Sequence, residues 1–322
     1  MQYDTFDLIA RTKRMEAIPT NQQTFTEDDF VDLLNIEFQA TIVPFIKKVN
    51  EEYFVKSKNY TITPSVSDIE IPNIATGLAL RDVVWVNNDG TFGKIARLTP
   101  EQVSGYSFAF GGYYGLSGYY LRNNRIVFYP QNTSDGTVQV LFHRRPNDLC
   151  LPADTGRIIS INTLTNEITL DNAPDTSTWT TGTLLCAINP AVPFNFVGDN
   201  QSEEDITSSF AIVARSGFVI TVDPSVTALL SVGDIFATKG QSPVPQYIPV
   251  EAHHLLCQST AMRCLQNLGD RPGWEQAAKK YMQMEQDLQA IINPRVVGEP
   301  KKIVGAGGIM GATRLNTYSS YW

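Results

Sequence analysis

No apolar run in the 322 residues approaches the length of a bilayer-crossing helix, so a transmembrane span is not expected. The opening Met1-Gln2-Tyr3-Asp4 lacks the charged and apolar regions of a signal peptide, and nothing points to secretion. Histidine is scarce: His143, His253 and His254 leave a histidine-based triad little to work with. The four cysteines, Cys150, Cys186, Cys257 and Cys264, show no close-pair spacing and read as reduced, buried thiols made in a cytoplasm. Basic residues are outnumbered, 25 against 33 acidic ones, for a net charge of −8. That balance argues against a general nucleic-acid binder, which carries a basic surface. It is compatible with a surface that DNA slides past, because like charge repels phosphate.

Signatures of catalysis are also missing. The sequence contains no nucleophile elbow, phosphate loop or zinc-protease helix. Gly305-Ala306-Gly307-Gly308 fails as a dinucleotide fingerprint, since Met310 occupies the third glycine's place and no helix, strand and acidic residue follow. His253 and Cys257 stand one helical turn apart, but Cys257 and Cys264 are about 10 Å apart along a helix, too far to share an ion. Glu203, Glu204 and Asp205 form an acidic loop most simply read as solvated, although carboxylate pairs for glycoside hydrolysis are set by the fold and not by spacing. No enzyme activity, cofactor or metal is expected.

What is present begins with two helices near the C-terminal end, residues 250–292. Cys257, Ala261, Leu265 and Leu268 make one apolar stripe, and Ala277, Tyr281, Met284, Leu288 and Ile291 another. Gly269 ends the first helix, and Asp270 and Pro272 start the second. Two stripes cannot both be buried by each other, so a third helix is required. Residues 26–50 supply it, with Thr26 as N-cap, acidic Glu27, Asp28 and Asp29 in the first turn, and Phe25 and Phe30 at staple positions. Its stripe is Val31, Leu34, Phe38, Ile42, Phe45 and Val49, and Pro44 is expected to kink it. A bundle closed by both ends of the chain makes everything between an excursion.

The expected fold class is therefore α+β. Residues 1–25, with Arg11, Lys13 and Arg14, form an arm or short leading helix, either solvated or docked on a neighbouring subunit. Residues 26–153 add β-hairpins to the core, with strands near 60–63, 68–71, 82–86 and 94–98 and a turn at Asn88-Asp89-Gly90. Between 105 and 129, nine aromatic residues including Tyr113 and Tyr114 are interleaved with glycines, a composition suited to sheet packing and a subunit interface, and Asn123-Asn124 forms a turn. A strand through Val138, Val140 and Phe142 exits at Arg144-Arg145-Pro146, where the arginines are either solvated or in contact with an acidic neighbour. Residues 154–245 look like an inserted small β-barrel or sandwich, with strands at 157–162, 167–170, 183–188, 210–214, 217–222 and 235–238. Residues 246–292 complete the bundle, and 293–322 form an extended tail ending in Tyr318, Tyr321 and Trp322, aromatics suited to anchoring on a partner.

Four stretches together resemble the tailed-phage head-to-tail connectors, the podovirus-type adaptor rings bound beneath the portal. They are the opening helix FTEDDFVDLLNIEFQATIVPFIKKVNEEYFV, the hairpin YYLRNNRIVFYP with TVQVLFHRRPNDLC, the insertion ending VGDIF, and the return IPVEAHHLLCQSTAMRCLQNLGD. The resemblance covers most of residues 24–300. It implies a structural virion protein at the head-tail neck, made in the host cytoplasm. Such proteins form a homo-oligomeric ring, commonly a dodecamer, that extends the DNA channel without sequence-specific binding and offers a platform to tail, nozzle or fibre proteins. It also implies a C-terminal hook on the portal, here Ile303, Ile309, Leu315, Tyr318, Tyr321 and Trp322, and subunit contacts through Tyr113, Tyr114, Arg144 and Arg145. The alternatives are a more distal neck or tail ring, and a carbohydrate-binding or carbohydrate-active virion protein using the aromatic region and the β domain.

Overall fold

The computed structural model describes residues 4–16, 18, 24–64, 68–86, 90–99, 101, 118–129, 135–172, 174, 178–189 and 210–292. These form a mixed α+β structure with helices at both ends and several sheets between them. The leading helix, α1 (Thr5–Met15), starts at Asp4, whose carboxylate accepts from the Asp7 N–H. It buries Leu8, Ile9 and Thr12 against other helices of the same chain.

Helix α2 (Glu27–Glu37) begins as its sequence dictates. Thr26 and Asp29 close a reciprocal capping box, and the Phe25 and Phe30 rings meet with centroids 5.7 Å apart. The expected kink at Pro44 takes the form of a π-helical turn, Phe38–Ile42, leading into α3 (Val43–Val49). Proline lacks the N–H that the Ala40 carbonyl would receive, and its ring crowds that carbonyl. The wider turn relieves the crowding, and the Val43 N–H bonds back five residues to the Phe38 carbonyl. The extra residue also rotates α3 about its axis. Val43 and Ile46 become buried, whereas Phe45 is only partly so and Val49 stays half-exposed.

Helices α4 (Ala252–Leu268) and α5 (Arg271–Ile292) are joined at Gly269, which takes the left-handed conformation, φ 75°, that glycine reaches without strain. The Asp270 carboxylate then caps α5 by accepting from the Gly273 N–H at 3.0 Å. Residues from α1, α2, α3, α4 and α5 contribute to one core cluster. The expectation of a single stripe on α4 is too narrow. Most of its length is buried, including the polar His253, Gln258, Ser259 and Thr260. Ser259 and Thr260 donate to the Leu256 carbonyl, which removes the cost of burying their hydroxyls. On α5 only Ala277 and Leu288 are fully buried, and Ile291 is exposed.

Two four-stranded sheets come after α3. One is ordered β1 (Val55–Ile62), β8 (Gly136–Arg144), β3 (Ala75–Val86), β4 (Phe92–Lys94); the other is β2 (Asp68–Glu70), β7 (Arg125–Tyr129), β6 (Gly118–Arg122), β5 (Ala96–Arg97). Their inner faces share one core of residues such as Ile62, Val83, Ile126, Val138, Val140 and Phe142. The β6–β7 turn is Asn123-Asn124, both at positive φ, as a two-residue hairpin of the right twist requires.

Residues 156–238 form a seven-stranded sheet, ordered β13 (Phe210–Ala211), β12 (Leu184–Ile188), β16 (Ile235–Thr238), β10 (Gly156–Asn162), β11 (Glu167–Leu170), β15 (Val219–Thr221), β14 (Ala214–Ser216). Its first and last strands are halves of one segment, 210–216. That segment bonds on one side to residues 182–185 and on the other to 219–221, so the sheet rolls up around its own core of Ile158, Trp179, Leu185, Ile220 and Phe236. A parallel pair, β9 (Asp148–Leu149) with β17 (Gln241–Ser242), joins the two strands by which the chain enters and leaves this sheet.

Candidate assembly interface

The residues singled out for contacts divide into two groups. Ile303, Ile309, Leu315, Tyr318, Tyr321 and Trp322, together with Tyr113 and Tyr114, lie outside the described residues. Arg144 and Arg145 lie at the end of β8, where successive side chains leave a strand on opposite faces. Arg144 is 5% exposed, and its guanidinium sits 4.4 Å above the centroid of the Tyr247 ring. Arg145 is exposed, and its backbone N–H is fixed by the Ile74 carbonyl at 2.7 Å. Of the pair, Arg145 therefore has its charge open to a neighbour. His143 is buried, and desolvation is the main force lowering its pKa, helped by Lys47.

Around Arg144 lies a junction that spacing alone does not reveal. The β9–β17 pair is extended by the side chain of Asn35 on α2, which donates to the Leu149 carbonyl at 2.9 Å and accepts from the Leu149 N–H at 2.6 Å. Gln39 on the π turn donates to the Pro146 carbonyl at 3.0 Å. Thr5 at the start of α1 donates both its N–H and its hydroxyl to the Pro243 carbonyl. The first helices thus hold both strands leading to the rolled sheet. The only sequence signal for this was a poor helix former, Asn35, inside a helix. Tyr247, at φ 61°, packs between the helical core and a small cluster of Cys150, Cys186, Ile188 and Ala237.

The cysteines are free and buried, as their spacing suggests. Burial pushes the Cys186 and Cys264 thiols up to about 12 and Cys257 to about 11, so they are inert neutral groups. Cys257 faces the Leu8 carbonyl at 3.6 Å, and the His254 ring lies 3.1 Å from the Arg11 guanidinium. Neither neighbourhood gathers three metal-ligating side chains among the described residues.

Two further links tie the helices. Glu37, nearly buried at the end of α2, is paired with Arg263 of α4 and accepts from the Thr41 hydroxyl at 2.8 Å. Glu16 accepts from Gln258 at 2.8 Å and pairs with Lys280 at 3.1 Å, joining the end of α1 to α4 and α5. At the tip of the helical hairpin, Gln266, Gly269, Asp270, Arg271 and Trp274 line an open pocket of about 210 Å³. Its charged groups are spent on a helix cap and on the Arg271–Glu275 pair. No described helix is long and apolar enough to cross a membrane.

The side chains gathered here tie the helices and the sheets to one another. A profile of the SU10 adaptor protein family matches residues 7–188, more than half of the chain. The chain belongs to that family and is a phage structural adaptor. The matched span runs from α1 through β12, covering the first helices, both small sheets and the entry into the rolled sheet. A search of curated proteins finds no match.

Proposed function

We propose that the chain is the head-to-tail adaptor of a tailed phage, assembled as a ring, a dodecamer, beneath the portal at the neck of the virion. The observation that carries this reading is membership of the adaptor family over residues 7–188. In this proposal the helices of residues 26–50 and 246–292 form a bundle built from both ends of the chain that lines the ring and extends the DNA channel. These two helical stretches carry ten Asp and Glu against six Lys and Arg, an acidic balance that supports a channel wall passing DNA without holding it. Residues 293–322 grip the portal through Ile303, Ile309, Leu315, Tyr318, Tyr321 and Trp322, while the inserted unit 154–245 faces tail, nozzle or fibre proteins. Tyr113, Tyr114 and Arg145 contact the next subunit, and Arg144 supports that edge from within by holding Tyr247.

Mass photometry of the purified protein, alone and with the portal of the same virus, tests the reading. Appearance of a multi-copy complex with the portal is the expected result. Deletion of residues 293–322 is expected to abolish that complex while leaving the melting transition in place. Binding that survives the deletion removes the tail's role, and no portal complex with the full chain at any salt concentration moves the protein to a more distal ring.

A further inference from the structure

Helix α2, the π turn and α3 carry apolar side chains on their outward side as well as in the core. Between Asp32 and Lys47 the one charged residue is Glu37, which is 5% exposed and paired with Arg263 of α4. The inward side of this stretch buries Leu34, Phe38, Ile42 and Ile46. Its outward side is a row four residues apart, Ile36, Ala40 and Pro44, and all three are exposed. A helix that is apolar all round is ordinarily covered on every side. The row returns to charge only beyond its ends, at the exposed Asp32 and Lys48.

A second row with the same spacing lies on α5. Met282, Gln286 and Ala290 are exposed, and helix geometry sets them opposite the buried Ala277 and Leu288. None of the three is charged. Glu285 and Asp287 stand on the two flanks, each about 100° around the helix from Gln286, and Lys279 precedes the row by one turn. Ile36 and Met282, the large apolar member of each row, are 46% and 60% exposed. Helix α4 packs against both α2 and α5, so the two rows lie on different outer helices of one core.

We propose that these rows meet between copies of the chain: the Ile36, Ala40, Pro44 row of one subunit packs against the Met282, Gln286, Ala290 row of the next. The proposal rests on the adaptor reading and identifies the helices through which the ring closes. Their complementarity is what selects a second copy. Both are ridges of residues four apart and of equal length, the kind that interdigitate where two helices cross. Laid antiparallel, they set the large Ile36 beside the small Ala290 and Met282 beside Pro44, with Ala40 and Gln286 at the centre. Neither row has the lysines and arginines that hold phosphate, so neither suits DNA. Two different patches in head-to-tail contact generate a ring when the rotation closes. Each row is about 12 Å long. A contact of that length falls well short of the roughly 1,200 Å² of a stable complex, so the free chain stays monomeric and the copies associate where the portal gathers them.

The test uses the full-length protein and the portal of the same virus. Ala40→Cys and Gln286→Cys in one chain, treated on the portal with a short bismaleimide, are expected to give a ladder of linked subunits on a denaturing gel. The four native thiols are buried and stay out of the reaction. Each single variant is expected to give no ladder. Separately, Ile36→Glu and Met282→Glu each place a carboxylate in the contact, and multi-copy complexes on the portal are expected to fall on the order of tenfold or more. The urea midpoint of the free protein is expected to hold, because both positions are exposed. A wild-type portal complex with no ladder from the double variant, or with both glutamate variants assembling as wild type does, overturns this contact and leaves the adaptor reading standing. Linked dimers from either single-cysteine variant also overturn it, by placing like rows together. Failure of wild type to load on the portal removes the adaptor reading instead. The double-cysteine variant, treated free at high concentration, then decides the contact alone: a ladder supports it and no ladder overturns it.

Discussion

Acid should loosen the helical core through His253. Its ring is 1% exposed at the start of α4, and burial is the largest of the causes that push its pKa from 6.5 down to about 4. His254 on the same helix and Arg11 on α1 add positive charge that opposes a proton there. The direction comes from comparing the two states. With a folded pKa below the unfolded one, the unfolded chain takes up a proton first as pH falls. Stability is therefore complete above about 6.5 and is lost progressively toward 4. A shift of this size corresponds to about 3 kcal/mol in full, and to roughly 2.5 kcal/mol at about pH 4.5. That is a large share of the ~5–15 kcal/mol that holds an ordinary domain folded. Urea unfolding of wild type and His253→Gln, at neutral pH and at about pH 4.5, measures it. The variant's baseline stability does not matter, because the quantity is the loss between the two pH values. Carboxylates and the other histidines titrate in both proteins and cancel. The acid loss in His253→Gln is expected to be smaller by roughly 2 kcal/mol or more. Equal losses in the two proteins would refute the claim that His253 is buried as a neutral ring.

Two further substitutions test the local geometry. Thr26→Ala removes the acceptor for the Asp29 N–H and half of the capping box of α2, and should lower unfolding free energy by about 1 kcal/mol, read from the urea midpoint. Gly118→Ala drives a methyl group into the Ala96 carbonyl oxygen across the β5–β6 pair, so one strand must shift, at a cost of about 1–3 kcal/mol on the same measurement. A Gly118→Ala protein as stable as wild type would mean that the two strands are not so closely paired.

What was legible in the sequence was what is decided locally. Thr26 with Asp29, the Phe25–Phe30 staple, Gly269 before Asp270, and Asn123-Asn124 each act within a few residues, and each appears as its chemistry requires. Strand periods in the rolled sheet were equally readable, because alternation needs no knowledge of the partner strand. Other features depended on residues far away in the chain. Pro44 announced a disturbance, but a π turn rather than a bend is favoured only because the extra residue turns Val43 and Ile46 toward a core built from α4 and α5. The encirclement of α4 was hidden by Gln258, Ser259 and Thr260, polar residues that look like a solvated face until the hydroxyl bonds to the Leu256 carbonyl and the Gln258 bonds to distant Glu16 and Ala277 are seen.

The candidate interface shows the same division. Arg144 and Arg145 are adjacent and chemically identical, so sequence could weigh only solvation against contact for both. Their separation is produced by β8, which turns one guanidinium onto Tyr247, 103 residues later, and leaves the other outside. Two-residue strands such as β9 and β17 carry no period at all, yet they close the entrance to the rolled sheet, and Asn35 and Thr5 fasten that entrance to the first helices. The rolled sheet is thus tied at its base to α1 and α2, which belong to the helical core.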